Sequence, residues 1–192
     1  MKSSRIDKSP RDFKNIKKFQ KKGLIIIHTG DGKGKSTAAF GTAIRAMGRG
    51  LRVGIVQFIK GKWQTGESKF FKNSKNQCDF ISIGDGFTWE TQNFAQDVKT
   101  AQKAWKKCCE FLHDGQHQLV IFDEINYVLK YNFLDTQDVL HELKKKPFFK
   151  HVILTGNGAP PKLIEFADLV TEMKCVKHPY YQGIAAQPGI EY

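Results

Sequence analysis

The sequence predicts an α/β domain built on a mainly parallel sheet with helices on both faces. First, strand-length apolar segments alternate with helix-length amphipathic segments along most of the 192 residues. Second, the strand segments at residues 25–27, 53–58, 119–122 and 152–154 are almost continuously apolar instead of alternating, as expected of strands covered on both sides. Third, polar or acidic residues (Thr29, Gln57, Asp123, Thr155) stand at the ends of these segments and would converge on one crevice at the carboxyl edge of the sheet, where open α/β sheets bind ligands.

Taken in order, residues 1–22 form a basic arm in which Phe13, Ile16, Phe19 and Gln20 fall near one face of a short helix, with lysines on the others. Residues 23–192 form the domain. A strand at 24–28 leads into a helix at 35–47, where Ala39, Ala43, Ala46 and Met47 recur at helical spacing and Gly48 and Gly50 give the stop signal. A strand at 53–59, a polar loop through Gly66, a short helix near 67–72 and a strand at 79–83 follow, and then a long loop. The second half reads as a helix at 94–112, a strand at 118–122, a helix at 135–145, a strand at 151–155, a helix at 160–167 and an extended segment at 168–176. No internal repeat is present.

Bulk properties narrow the class. A chain of this length, 40% hydrophobic, suits one domain with a sizeable core. No apolar run approaches the roughly 20 residues that span a bilayer, and the charged N-terminus has no apolar signal core, so the expected location is cytoplasmic. Cys78, Cys108, Cys109 and Cys175 lack C-x-x-C spacing, which argues for reduced thiols and against a zinc or thioredoxin-like site. Cys108 and Cys109 adjoin on a predicted helix and point apart, which argues against a mutual disulfide. The net charge of +12 is concentrated in the arm, where nine Lys or Arg face two Asp, leaving +5 for the rest. That distribution argues against nucleic acid as the main partner.

The stretch TGDGKGKST, Thr29 to Thr37, joins the first strand to the first helix through a glycine-spaced turn. Gly30, Gly32 and Gly34 let successive backbone N–H groups turn toward one point, Lys35 adds a mobile positive charge, and the Ser36 hydroxyl is placed to hold Mg²⁺. The expected ligand is a nucleoside triphosphate, and the expected fold is P-loop NTPase-like. The usual G-x-x-x-x-G-K-[ST] pattern has its first glycine where this chain has Thr29, with Gly30 one step later, so the cradle is expected to bend differently.

LVIFDE, residues 119–124, is an apolar strand ending in two acids, the form of a Walker B segment. Asp123 would bind Mg²⁺ directly or through water, and Glu124 could orient a water. These two motifs name the cosubstrate and leave the reaction open among a RecA-like motor, a kinase and a nucleotidyl or adenosyl transferase. The loop GDGFTWETQN places Phe87 and Trp89 two residues apart after a strand, which suggests a flat apolar partner beside the triphosphate crevice.

The segments TGDGKGKSTAAFGTAIRAMGRG, VGIVQFIKG, GFTWETQN, LVIFDEINY and VKHPYYQGIAAQPGIEY resemble, in this order, those of the P-loop type of ATP:corrinoid adenosyltransferase, over residues 23–192. The resemblance implies transfer of the 5′-deoxyadenosyl group of ATP to Co(I) of a corrinoid, cobalamin or cob(I)yrinic acid a,c-diamide, with release of tripolyphosphate, in adenosylcobalamin synthesis and salvage. It implies that Thr29, Gly30, Asp31, Gly32, Lys33, Gly34, Lys35, Ser36, Thr37 and Arg45 bind ATP. Ser36 and Glu124, with Asp123 nearby, would organise Mg²⁺, while Phe87 and Trp89 would pack below the corrin ring and displace its lower axial ligand. Lys35, Phe87, Trp89 and Glu124 are the residues expected to carry catalysis.

The resemblance further implies a flavoprotein reductase that supplies the electron, a homodimer, and an arm capping the corrinoid site of a partner subunit. One departure is Asn157, where the family often carries an arginine after the Thr-Gly pair. The rival readings are a nucleic-acid-stimulated P-loop ATPase and a non-catalytic nucleotide-binding regulator.

Overall fold

The computed structural model describes residues 20–59, 65–84 and 93–191. The arm through residue 19, with Phe13, Ile16 and Phe19, and the loop bearing Phe87 and Trp89 lie outside the described residues. The chain runs β1 (Ile25–Thr29), α1 (Lys35–Met47), β2 (Val53–Phe58), α2 (Gly66–Asn73), β3 (Cys78–Ile83) and α3 (Phe94–His113). It continues through β4 (Leu119–Asp123), α4 (Ile125–Lys130), α5 (Thr136–Lys144), β5 (His151–Thr155), α6 (Pro161–Phe166) and β6 (Leu169–Glu172), then a 3₁₀ turn at Pro179–Gln182.

The strands form one sheet in the order β3-β2-β4-β5-β1-β6, parallel throughout. Because side chains alternate across a strand, two cores result. On one face Val53, Ile55, Leu119, Ile121 and Ile153 pack with Ala39, Phe40, Ala43 and Met47 of α1 and Phe71 of α2. On the other, Val56, Phe58, Val120, Phe122, Val152 and Leu154 pack with residues of α3, α4, α5 and α6. The expected doubly covered parallel sheet is the one observed. The alanines of α1 are the reason that helix can lie close to the strands.

Short polar devices set the helix starts. Thr65, Asn93 and Asp135 cap α2, α3 and α5 by accepting from the backbone N–H of Ser68, Gln96 and Gln137, and Pro161 opens α6. The sequence reading missed α4, whose six residues bury Ile125, Asn126, Val128 and Leu129. At the amino edge of the sheet, far from the strand tips, His117 bridges Asp79 (2.8 Å) and Asp114 (2.5 Å). Arg52 and Lys150 close that cluster from either side.

All four cysteines are free. Burial raises the thiol pKa of Cys78 to about 12 and that of Cys109 to about 11, so both stay protonated near neutrality. No helix of the described residues is long and apolar enough to cross a membrane.

Candidate functional site

The stretch Thr29 to Thr37 runs from the tip of β1 into α1 and leans on the chain just beyond β6. Gly32 N–H donates to the Met173 carbonyl (2.7 Å) and Met173 N–H donates to the Thr29 carbonyl (2.8 Å), so the loop is clamped from its flank. Gly30 and Gly34 hold φ of 100° and 110°, a region disfavoured for residues with a Cβ. A Cβ on Gly30 would stand 2.3 Å from the Met173 carbonyl oxygen. That contact explains the displaced glycine: the close approach falls at position 30, while Thr29 completes an ordinary strand and its hydroxyl accepts from Ala159 N–H (3.1 Å).

Gly34 caps α1 with no side-chain hydrogen bond, and the first turn of α1 carries no acid. The leading N–H groups of this 13-residue helix therefore keep their donor capacity for an anion, and the helix dipole favours one. The Lys35 ammonium folds back onto the Gly32 carbonyl (2.6 Å), inside the loop it would serve. The Asp31 carboxylate accepts from Cys175 N–H (3.1 Å), in the segment beyond β6. Lys33 pairs with Glu191, which the sequence reading did not foresee. Ser36 is half-buried and Thr37 exposed in the first turn of α1.

Beneath the loop lies a row of polar residues at one level of the sheet. Register places Ser82 beside Gln57, Gln57 beside Asp123, His28 beside Thr155 and His28 beside Thr171. Gln57, Asp123 and Thr155 lie two residues beyond Ile55, Ile121 and Ile153, which pack on the α1 side, so the row underlies the α1 face. Asp123 is fully buried: Gln57 donates to its Oδ2 (2.8 Å) and the Thr155 hydroxyl to its Oδ1 (2.7 Å). Glu124 follows with φ of 67°, and its N–H donates to Thr155 Oγ1 (2.9 Å). A Cβ on Gly156 would come within 3.2 Å of Glu124 Oε2, so that carboxylate rests over the Gly156 backbone.

Asn126 of α4, fully buried, donates to the carbonyls of Gly156 (3.1 Å) and His28 (3.4 Å) and ties the tips of β4, β5 and β1 together. Its signal was an amide among the apolar residues Ile125, Val128 and Leu129. Burial lowers the pKa of His28, keeping its ring neutral.

The structure thus gathers Thr29 to Thr37, Asp123 and Glu124 at one end of the sheet. Arg45 is not among them. It is exposed in the last turn of α1, and a rise of roughly 1.5 Å per residue puts it about 15 Å along the helix from Lys35. Asn157, half-buried, occupies the β5–α6 loop beside Gly156.

Fold and site together define a phosphate-loop nucleotide-binding protein, with the glycine cradle and the acid-bearing strand tip on neighbouring parts of one parallel sheet. The model of the family described as ATP:corrinoid adenosyltransferase BtuR/CobO/CobP matches residues 21–192. The chain belongs to that family. It is similar to a corrinoid adenosyltransferase of Sinorhizobium sp, 48% identical over 187 residues that cover 96% of this chain and 87% of the relative. It is similar also to corrinoid adenosyltransferases of Pseudomonas aeruginosa (44% identical, 94% and 89% covered) and Escherichia coli K12 (42% identical, 89% and 86% covered).

Proposed function

We propose that this chain transfers the 5′-deoxyadenosyl group of ATP to the Co(I) centre of a corrinoid and releases tripolyphosphate. The observation that supports this reading best is the uncapped, glycine-cradled start of α1 at the same edge of the sheet as the Glu124 strand tip, in a chain whose family acts on ATP and corrinoids. Co(I) supplies the electron pair for the new bond to C5′, and the C5′–O bond breaks with its pair leaving on the tripolyphosphate. No protein nucleophile is needed. Among the described histidines, His113, His117, His151 and His178 are engaged in hydrogen bonds with Glu142, with Asp79 and Asp114, and with the backbone N–H of Leu24 and Tyr180.

The work left to the protein is positioning and charge stabilisation. The N–H groups of the loop other than that of Gly32, which is given to Met173, and those of the first turn of α1, with Lys33, Lys35 and Thr37, would hold the triphosphate and stabilise the charge that grows as the C5′–O bond breaks. Lys35 would exchange the Gly32 carbonyl for a phosphate oxygen. Arg45 would contact ATP only at a part distant from this cradle.

A magnesium ion fits the donors present. Such ions need only one or two protein oxygens beside phosphates and water, and Ser36 and Glu124 offer a hydroxyl and a carboxylate. Asp123 stands behind them with both oxygens accepting hydrogen bonds. When bound, the ion would neutralise phosphate charge.

Phe87 and Trp89 would cover the lower face of the corrin ring and keep cobalt four-coordinate, easing reduction by a flavoprotein and excluding water. A homodimer, an arm at residues 1–22 closing over the partner's corrinoid, and a cytoplasmic location complete the reading. The test is to mix the protein with Mg²⁺, ATP and chemically reduced cobalamin. Light-sensitive adenosylcobalamin and tripolyphosphate are expected. ADP and phosphate released on nucleic acid would support the ATPase instead, and binding without turnover a regulator.

A further inference from the structure

Four hydrogen bonds link the strand tips in a chain whose direction is fixed by chemistry. The Asp123 carboxylate only accepts, so the Thr155 hydroxyl must spend its single proton on Oδ1 (2.7 Å) and Gln57 must turn its amide nitrogen to Oδ2 (2.8 Å). With its proton committed, Thr155 Oγ1 is left as an acceptor, and it faces the Glu124 N–H at 2.9 Å. On the far side Gln57 Oε1 accepts from the Ser82 hydroxyl at 3.4 Å. Gln57, Asp123 and Thr155 are at most 1% exposed, so water cannot replace a lost partner cheaply.

Glu124 needs such support. Its φ of 67° is uncommon for a residue with a side chain, and it is this backbone turn that leaves the carboxylate over Gly156 instead of along the axis of β4. We infer that Thr155 and Gln57 are positioning residues, Thr155 by accepting the Glu124 N–H and Gln57 by orienting Thr155 through Asp123, so that the Glu124 carboxylate meets the metal-bound triphosphate. The inference rests on the proposed role of Glu124 and adds to it residues that touch neither nucleotide nor corrinoid.

The test compares Thr155→Val, Thr155→Ser and Gln57→Met in the full-length protein, with ATP binding measured calorimetrically in Mg²⁺ and in EDTA. The phosphate loop supplies the EDTA affinity, so Thr155→Val leaves that value within twofold of wild type. The gain on adding Mg²⁺ falls by about tenfold, the scale seen when a residue supporting a metal ligand is removed. Gln57→Met, which leaves Thr155 in place, loses less. Thr155→Ser keeps the hydroxyl and restores the gain. Amide hydrogen exchange at Glu124 gives a readout independent of metal: it quickens in Thr155→Val and returns to wild type in Thr155→Ser.

An unchanged Mg²⁺ gain in Thr155→Val overturns the inference, as does an equal fall of affinity with and without Mg²⁺, which marks a merely structural residue. If Thr155→Val does not fold, Gln57→Met decides on the same criteria. Because no corrinoid enters these measurements, failure of adenosyl transfer leaves their outcome intact, and the two propositions can fail separately.

Discussion

Alanine at Gly30 puts the clamp between the phosphate loop and the segment after β6 under direct load. Two penalties act. The φ of 100° strains any residue with a Cβ by about 1–2 kcal/mol. The added Cβ would stand 2.3 Å from the Met173 carbonyl oxygen and 2.8 Å from its nitrogen, and backbone atoms cannot swing aside as a side chain would. Relief requires moving the strap away, which lengthens Gly32 N–H to Met173 O and Met173 N–H to Thr29 O, each contributing about 1 kcal/mol net. The whole cost is therefore about 3–4 kcal/mol.

Gly34 supplies the control. Its φ of 110° imposes similar strain, but a Cβ there would meet only the flexible Met173 side chain, 3.2 Å from Sδ. Gly34→Ala is expected to cost about 1–2 kcal/mol, so the two variants should differ by about 2 kcal/mol, which urea unfolding at constant m resolves. ATP affinity measured on the folded fraction should fall more for Gly30→Ala. Equal shifts of the unfolding midpoint would refute the claim that contact with Met173, and not φ alone, demands glycine at position 30.

Glu191→Ala frees Lys33, whose side chain is 54% exposed, so stability should stay within about 0.5 kcal/mol while the KM for ATP falls about twofold to threefold; initial rates against ATP check this, and an unchanged KM counts against a competing carboxylate. Burial favours the neutral form of Asp79, but hydrogen bonds from Arg52 and His117 outweigh it and hold the pKa below the usual 3.8. The stabilisation from Asp79 is therefore complete above the unfolded value and is lost as pH falls through the depressed one, so Asp79→Asn should flatten the acid limb of a urea-midpoint series below about pH 4; an acid limb as steep as wild type removes Asp79 as its source. Trp89→Ala should lose far more activity with Co(II) substrate than with prereduced Co(I), and equal losses in the two assays would exclude a role in displacing the lower ligand.

Much of the fold was legible because burial on both faces leaves strands such as Val53–Phe58 almost continuously apolar, with Gln57 the exception at its tip, and because alanine spacing marks the inner face of α1. What escaped depends on tertiary partners. The six residues of α4 are too few to be helical by their own propensity, and their helix is held by burial of Ile125, Val128 and Leu129. The sequence predicts an extended segment through residue 176, but pairing with β1 ends at Glu172, because the next residue turns its backbone to Thr29 and Gly32. Nothing local to the C-terminus marks Glu191 as the partner of Lys33.

The two acids at the end of β4 show where sequence and structure part most usefully. As text, Asp123 and Glu124 are equivalent candidates for a metal. Strand alternation separates them: Asp123 continues the face that packs on α1 and is buried within the polar row, whereas Glu124 leaves the sheet through a left-handed turn. An acid with both oxygens accepting from Gln57 and Thr155 is fitted to hold neighbours in place. An acid at the turn, with its backbone secured by one of those neighbours, is fitted to meet a ligand. On the proposed reading the pair divides support from contact, which is why the order Asp-Glu at this strand tip has consequences that its composition alone does not express.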